Sequence, residues 1–152
     1  MGRRSLALGY GMSGVPRWEH FPHVADVGVR GIGGSKAEAF VQAALGLIAV
    51  ITDPAGVRLE SQVDLAAQGD DDELLLLGWL DAVIFAMATR RMVFGAFDIA
   101  FSADRAEGHA WGEAVDVARH QPVVEVKAAT FAELRVQQLA NGDWLAQCVV
   151  DV

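Results

Sequence analysis

Residues 70–91, DDDELLLLGWLDAVIFAMATRR, leave the chain little choice of local structure. Three aspartates and a glutamate crowd one end and two arginines close the other, the polarity that complements a helix dipole at both termini. Leu76, Leu77, Leu80, Val83, Ile84 and Met87 recur at helical spacing as one apolar stripe. The acidic quartet at 70–73 reads as a helix start rather than a metal site. A second helix is signalled upstream. Ser35-Lys36-Ala37-Glu38 has the form of a capping box, and Ala37, Phe40, Val41, Ala44, Leu45 and Ile48 follow on one face. Asp53-Pro54 ends it, because the residue before proline avoids helical geometry.

Two amphipathic helices must bury their stripes against another layer. Residues 18–31 suggest one or two strands with a bend at Phe21-Pro22, and residues 57–66 alternate loosely. After Arg91 the character is β-branched and aromatic, with strands expected at 93–101, 110–117, 123–128, 131–139 and 144–151. Asn141-Gly142 is a hairpin signal between the last two. The expected fold is α+β, two helices packed on a largely antiparallel sheet, in a single domain over residues 18–152 after a flexible tail at 1–17.

Charge narrows the function. A net −8 argues against direct nucleic-acid binding, since phosphate contacts recruit a basic face. No run reaches the ~20 apolar residues of a bilayer span, so no membrane role is expected, and the broken, glycine-rich opening makes a poor signal peptide. The single Cys148 lies in an apolar segment and reads as a buried thiol in a reducing compartment, so the expected location is cytoplasmic.

Catalytic signatures are weak. Gly31-Ile32-Gly33-Gly34-Ser35-Lys36 matches neither GxxxxGK[ST] nor GxGxxG, and glycines turning a strand into a helix explain it better. Trp79, Trp111 and Trp144 read as core or half-buried aromatics. His20, His23, His109 and His120 lack HxH or HExxH spacing. With no nucleophile–base pair, an independent enzyme is disfavoured. Two carboxylates remain. Asp26 stands within the strand-like run HFPHVADVGVRG, where burial would cost several kcal/mol without a partner, and Asp151 closes the last strand. Such strand-end carboxylates either stay solvated or converge on a hard cation.

The stretches WEHFPHVADVGVRGIGGSKAEAFVQAALGL, DELLLLGWLDAVIF, VFGAFDI, GEAVDVARH, VEVKAATF and WLAQCVVDV, in this order and spacing, resemble the archease family over residues 18–152. The resemblance implies a small α+β protein that assists an RtcB-type RNA ligase in tRNA splicing and RNA repair, promoting ligase guanylylation and multiple turnover. It also implies a divalent metal, calcium by type, held by Asp26, Asp151 and the main chain of Val152, with Lys127 as a further functional residue contacting partner or phosphate. Val24 stands where the family usually shows threonine, and Phe131-Ala132 where it often shows Tyr-His. The first loses a hydroxyl beside the implied site, and the second removes a histidine. Two other readings stay open: a chaperone or specificity factor for another RNA-processing enzyme, such as an RNA methyltransferase, and a small-molecule enzyme using Asp26, His23 and Lys127 as acid and base groups.

Overall fold

Both long helices begin where the sequence places a cap. In the computed structural model, which describes residues 16–152, α1 spans Lys36–Ile51 and α2 spans Asp72–Arg90. Ser35 Oγ accepts the Glu38 N–H at 3.1 Å, while Glu38 Oε1 reaches back to the Gly34 N–H at 2.7 Å, one residue beyond the usual capping-box partner. Asp71 caps α2 by accepting the Leu74 N–H at 2.8 Å. Its acidic neighbours are engaged too: Asp72 pairs with Lys36 at 3.0 Å and Glu73 accepts the Val136 N–H at 3.1 Å. The quartet is therefore helix start and tertiary anchor. Arg91 ends α2 in the left-handed region at φ 55.

The strands are β1 (Arg17–His23), β2 (Asp26–Gly33), β3 (Ser61–Gln68), β4 (Met92–Ser102), β5 (Arg105–Ala114), β6 (Ala128–Ala129), β7 (Arg135–Gln138) and β8 (Trp144–Asp151). A 3-10 turn spans Pro54–Gly56 and a short helix, α3, spans Val117–His120. The α+β class holds, and every pairing is antiparallel. The strands divide into two sheets, however, rather than one. The larger runs β1-β2-β8-β6, with β7 also paired to β8, and the smaller runs β3-β5-β4.

Both helices touch strands of both sheets. On α1, Phe40, Ala43, Ala44, Leu47 and Ile48 are fully buried. Close approach explains the glycines before it: a Cβ on Gly31 would lie 2.1 Å from the Ala39 carbonyl oxygen and 2.3 Å from the Ala43 nitrogen. On α2, Leu76, Leu80, Val83, Ile84 and Met87 are buried as expected, but Leu77 is only half-buried. Trp79 is fully buried, and its Nε1–H donates to the Phe40 carbonyl at 3.1 Å, tying the two helices together.

Several strand boundaries shift. Arg17 is a buried residue of β1 rather than the end of a tail, and residues 1–15 lie outside the described residues. β1 and β2 meet in a turn at Val24-Ala25, not at Pro22. β4 and β5 close across residues 103–104, so the second strand starts well before residue 110. Residues 123–127 carry no strand, and the expected strand at 131–139 shrinks to β7. No described helix is long and apolar enough to cross a membrane.

Candidate metal and partner site

Asp26 is the first residue of β2, not a mid-strand residue, and it is half-buried. The desolvation cost of a carboxylate in a strand interior therefore does not arise. Its partner across the β1–β2 turn is His23, whose Nδ1 is buried without a hydrogen-bond partner. On its other side β2 pairs with β8, with Val27 opposite Val150. Continuing that register by one residue sets Asp26 opposite Asp151, the exposed last residue of β8. Residues directly opposite in an antiparallel pair have Cβ atoms ~4.5–5.5 Å apart, so both carboxylates leave the same end and face of the sheet.

Lys127 is held at the same end. Its N–H donates to the Asp151 carbonyl at 2.8 Å, and its side chain is exposed. Val152 follows Asp151 and packs partly against the core. The strand expected around Lys127 is absent, yet Val126 turns inward at 5% exposure while Val124 stays 41% exposed.

At mid-strand one arginine ties β2 to both of its neighbours. Arg30 on β2 donates from Nε to Gln147 Oε1 on β8 at 2.8 Å and from Nη1 to Glu19 Oε1 on β1 at 3.0 Å. Its guanidinium lies 4.8 Å from the centroid of the Phe21 ring. A slip of one residue would turn every side chain to the other face and break all three contacts.

The donor set suits a hard cation. Neither the Asp26 nor the Asp151 carboxylate has a hydrogen bond or ion pair among the described residues. No three His, Cys, Asp or Glu side chains form a metal cluster among those residues, so a cation here would draw its remaining ligands from main-chain oxygen and water. Of the departures in this region, Val24 is fully exposed in the turn with φ 42. Thr130 is structural: its Oγ1 donates to the Val149 carbonyl at 2.8 Å and accepts the Ala132 N–H at 3.2 Å. Phe131 is 70% exposed.

A second polar cluster went unseen in the sequence. Glu113, near the end of β5, accepts the Arg58 N–H at 2.7 Å, the Arg119 guanidinium, and His120 Nε2–H at 2.9 Å. His120 Nδ1 accepts the Asp116 N–H at 2.8 Å, which leaves the ring proton on Nε2. The Arg119 guanidinium, then the Arg58 N–H, hold the Glu113 carboxyl down at about 2. With both carboxylate oxygens and both ring nitrogens committed, the cluster clamps α3 to β5 and is not a free acid–base pair. Charged residues at 113, 116, 119 and 120 were its only trace in the sequence. Cys148 is fully buried, and burial pushes its thiol up to about 12.

Residues 18–152 match the Archease protein family. The chain is similar to a protein archease of Pyrococcus furiosus, 34% identical over 140 residues that cover 90% of this chain and 99% of the relative. A protein archease of Thermococcus gammatolerans is 36% identical over 140 residues, covering 90% and 99%. Among solved structures, the solution structure of Methanobacterium thermoautotrophicum protein 1598 matches with TM-score 0.73 and 28% identity, covering 89% of this chain and 98% of that one. A crystal structure of an archease, possible chaperone, from Thermotoga maritima matches in fold with TM-score 0.57 and 14% identity, covering 87% and 94%.

Proposed function

The chain belongs to the archease family, and from that premise we propose that it is a metal-binding activator of an RtcB-type RNA ligase. In this reading it promotes guanylylation of the ligase histidine and repeated turnover. The observation that carries the reading is the β2–β8 register, which sets Asp26 opposite Asp151 while the Asp151 carbonyl holds Lys127 beside them. Two carboxylates and a lysine, distant in sequence, lie at one sheet end.

Asp26, Asp151 and the main chain of Val152 would hold the divalent cation, calcium by chemistry. When bound, that ion would supply positive charge able to stabilise phosphoryl oxygens. The chain's own part is to keep two carboxylates on adjacent strands and an exposed lysine at the same sheet end. An acidic body of net −8 is drawn towards the basic cleft an RNA ligase needs for its phosphates, and it has no such attraction to naked RNA.

An accessory rather than catalytic role is the reading in which Cys148 and His120 serve the fold rather than chemistry. Cys148 is buried with a raised pKa, and both nitrogens of His120 are engaged. A chaperone-like role is the second reading, favoured by exposed apolar side chains such as Phe85, Val123 and Phe131. Adding the protein at one-tenth of the ligase concentration separates the two. Activation predicts many ligation turnovers per molecule, whereas a benefit seen only at stoichiometric protein would overturn it in favour of a chaperone or stable subunit.

A further inference from the structure

Trp18 on β1 is braced by its neighbours. Its ring meets that of His20, two residues on along the same strand face, with centroids 4.9 Å apart. His20 is itself held by α1, donating from Nε2 to the Gly46 carbonyl at 2.8 Å. Gly46 leaves room for the indole, since a Cβ there would lie 3.3 Å from the Trp18 Cβ. The braced ring is not fully covered, however. It is half-buried and forms one wall of a cavity.

That cavity lies between the start of β1, the C-terminal end of α1 and the end of α3, and it holds about 680 Å³. Small-molecule sites usually hold ~300–1,000 Å³. Pro54 and Val123 add apolar wall. The polar groups of the lining have acceptor capacity to spare. Thr52 Oγ1 donates to the His120 carbonyl at 2.6 Å and keeps its own lone pairs. One Asp53 oxygen accepts the Ala55 N–H at 3.0 Å, and the other has no partner among the described residues. Gln121 is exposed, and its side chain has no hydrogen bond among those residues. No described lysine or arginine lines the cavity, and both ring nitrogens of the lining His120 are engaged. Arg119, next to it in sequence, is turned to Glu113 and the Gly56 carbonyl.

We infer that this cavity binds a small organic cation, an alkyl guanidinium or ammonium whose charge meets Asp53 and whose stem lies against Trp18 and Val123. A phosphate or carboxylate ligand would find no cation in the lining and would meet the charge of Asp53. A neutral apolar ligand would desolvate that carboxylate without replacing its water. An organic cation answers both, and an indole face adds cation–π attraction. The net −8 of the chain raises the local concentration of such ions. The same chemistry comes from a free amine or from an arginine or lysine side chain of another protein. Trp18 stands five residues before His23 on β1, roughly 17 Å along the strand at ~3.4 Å per residue. The cavity is thus separate from the Asp26 end, and a cation bound in it does not depend on the ligase reading.

The test is calorimetric titration of the full chain with argininamide and with citrullinamide, its uncharged isostere, located by the NMR shift of the Trp18 indole N–H. Argininamide is expected to bind saturably and to move that resonance. Citrullinamide should bind about tenfold more weakly, the loss of one charge-assisted hydrogen bond. Asp53→Asn keeps an oxygen for the Ala55 N–H, so it should melt like the parent and weaken argininamide about tenfold. Trp18→Leu should weaken it about threefold, and if that variant fails to fold, Asp53→Asn decides. Asp70→Asn, exposed and outside the cavity, should bind like the parent. Agmatine and an Ala-Arg-Ala peptide separate the two sources. Tighter binding of agmatine assigns the cavity to a free cation, and tighter binding of the peptide assigns it to a protein segment. The absence of a saturable Trp18 shift, equal binding of citrullinamide, or parent-like binding by Asp53→Asn would each overturn the inference.

Discussion

The Lys127 amide donates to the Asp151 carbonyl at 2.8 Å, so these residues are neighbours through the backbone, independently of their side chains. Replacing the exposed lysine side chain leaves that bond in place. Lys127→Ala should therefore melt within about 0.5 kcal/mol of the parent, as exposed substitutions usually do, while ligase activation falls. Lys127→Arg should restore part of the activity, since the two cations differ in geometry and hydration. Full activation by the alanine variant would remove Lys127 from the site.

Asp26 and Asp151 should together control calcium affinity without supporting the apo fold. Asp26→Asn and Asp151→Asn are expected to melt like the parent in chelator, because neither carboxylate has a partner among the described residues. Calcium at a hundred times its Kd should stabilise the parent by about 2.7 kcal/mol. Each variant should lose most of that increment, and calorimetry gives the affinity directly. An undiminished calcium response in both variants would place the ion elsewhere.

The Glu113 clamp sets the acid limb of stability. The folded carboxyl lies near 2 against an ordinary 4.5, so its stabilisation is fully present above about 4.5 and is lost as pH falls through about 2. The urea midpoint should drop over that window. Glu113→Gln puts an amide donor among groups that already donate, so it should lower stability at pH 7 and flatten the acid limb. An unchanged pH profile in that variant would show that other carboxylates set the limb.

Gly31 and Gly56 should respond oppositely to alanine. At Gly31 the added Cβ meets backbone atoms of α1 at 2.1 and 2.3 Å, which cannot rotate away. Overpacking of this kind costs about 1–3 kcal/mol or more. At Gly56 nothing lies within 4 Å of the added Cβ, and alanine should be tolerated. Denaturant midpoints of the two variants give the comparison.

The helices were legible in the sequence because their signals are local. Ser35 and Asp71 are caps that need only the next turn, and the stripes repeat within one element. The β7–β8 hairpin was legible for the same reason, with Gly142 at φ 93 in its turn. The turns at 24–25 and 103–104 were not, because Val-Ala and Ala-Asp carry no glycine or asparagine. The division into two sheets depends on pairings such as β2 with β8, set by burial across more than a hundred residues. Pro22 read as a bend but sits in the edge strand β1, where a missing N–H is tolerated. Asp26 and Asp151 stood out in the sequence as strand-end carboxylates and Lys127 through the resemblance, whereas their shared sheet end follows from a register that no local pattern encodes. The Glu113 clamp stayed hidden because Glu113 lies in a run that reads as strand and its partners lie on the short helix α3 that follows it and at Arg58, far upstream.

Val24 occupies the first central position of the β1–β2 turn, where hairpins place glycine because φ must be positive. A β-branched residue held there carries backbone strain of about 1–3 kcal/mol. Residues 17–33 alone have no local reason to close that turn, so it is imposed from outside, by β2 docking on β8 and on α1. The Arg30–Gln147 bond, spanning 117 residues, is part of what imposes it. Closure of the hairpin and docking of β2 on β8 therefore support one another, and the juxtaposition of Asp26 and Asp151 depends on both. With calcium bound as proposed, its affinity would report foldedness itself, since a partly folded chain would keep both aspartates without their juxtaposition.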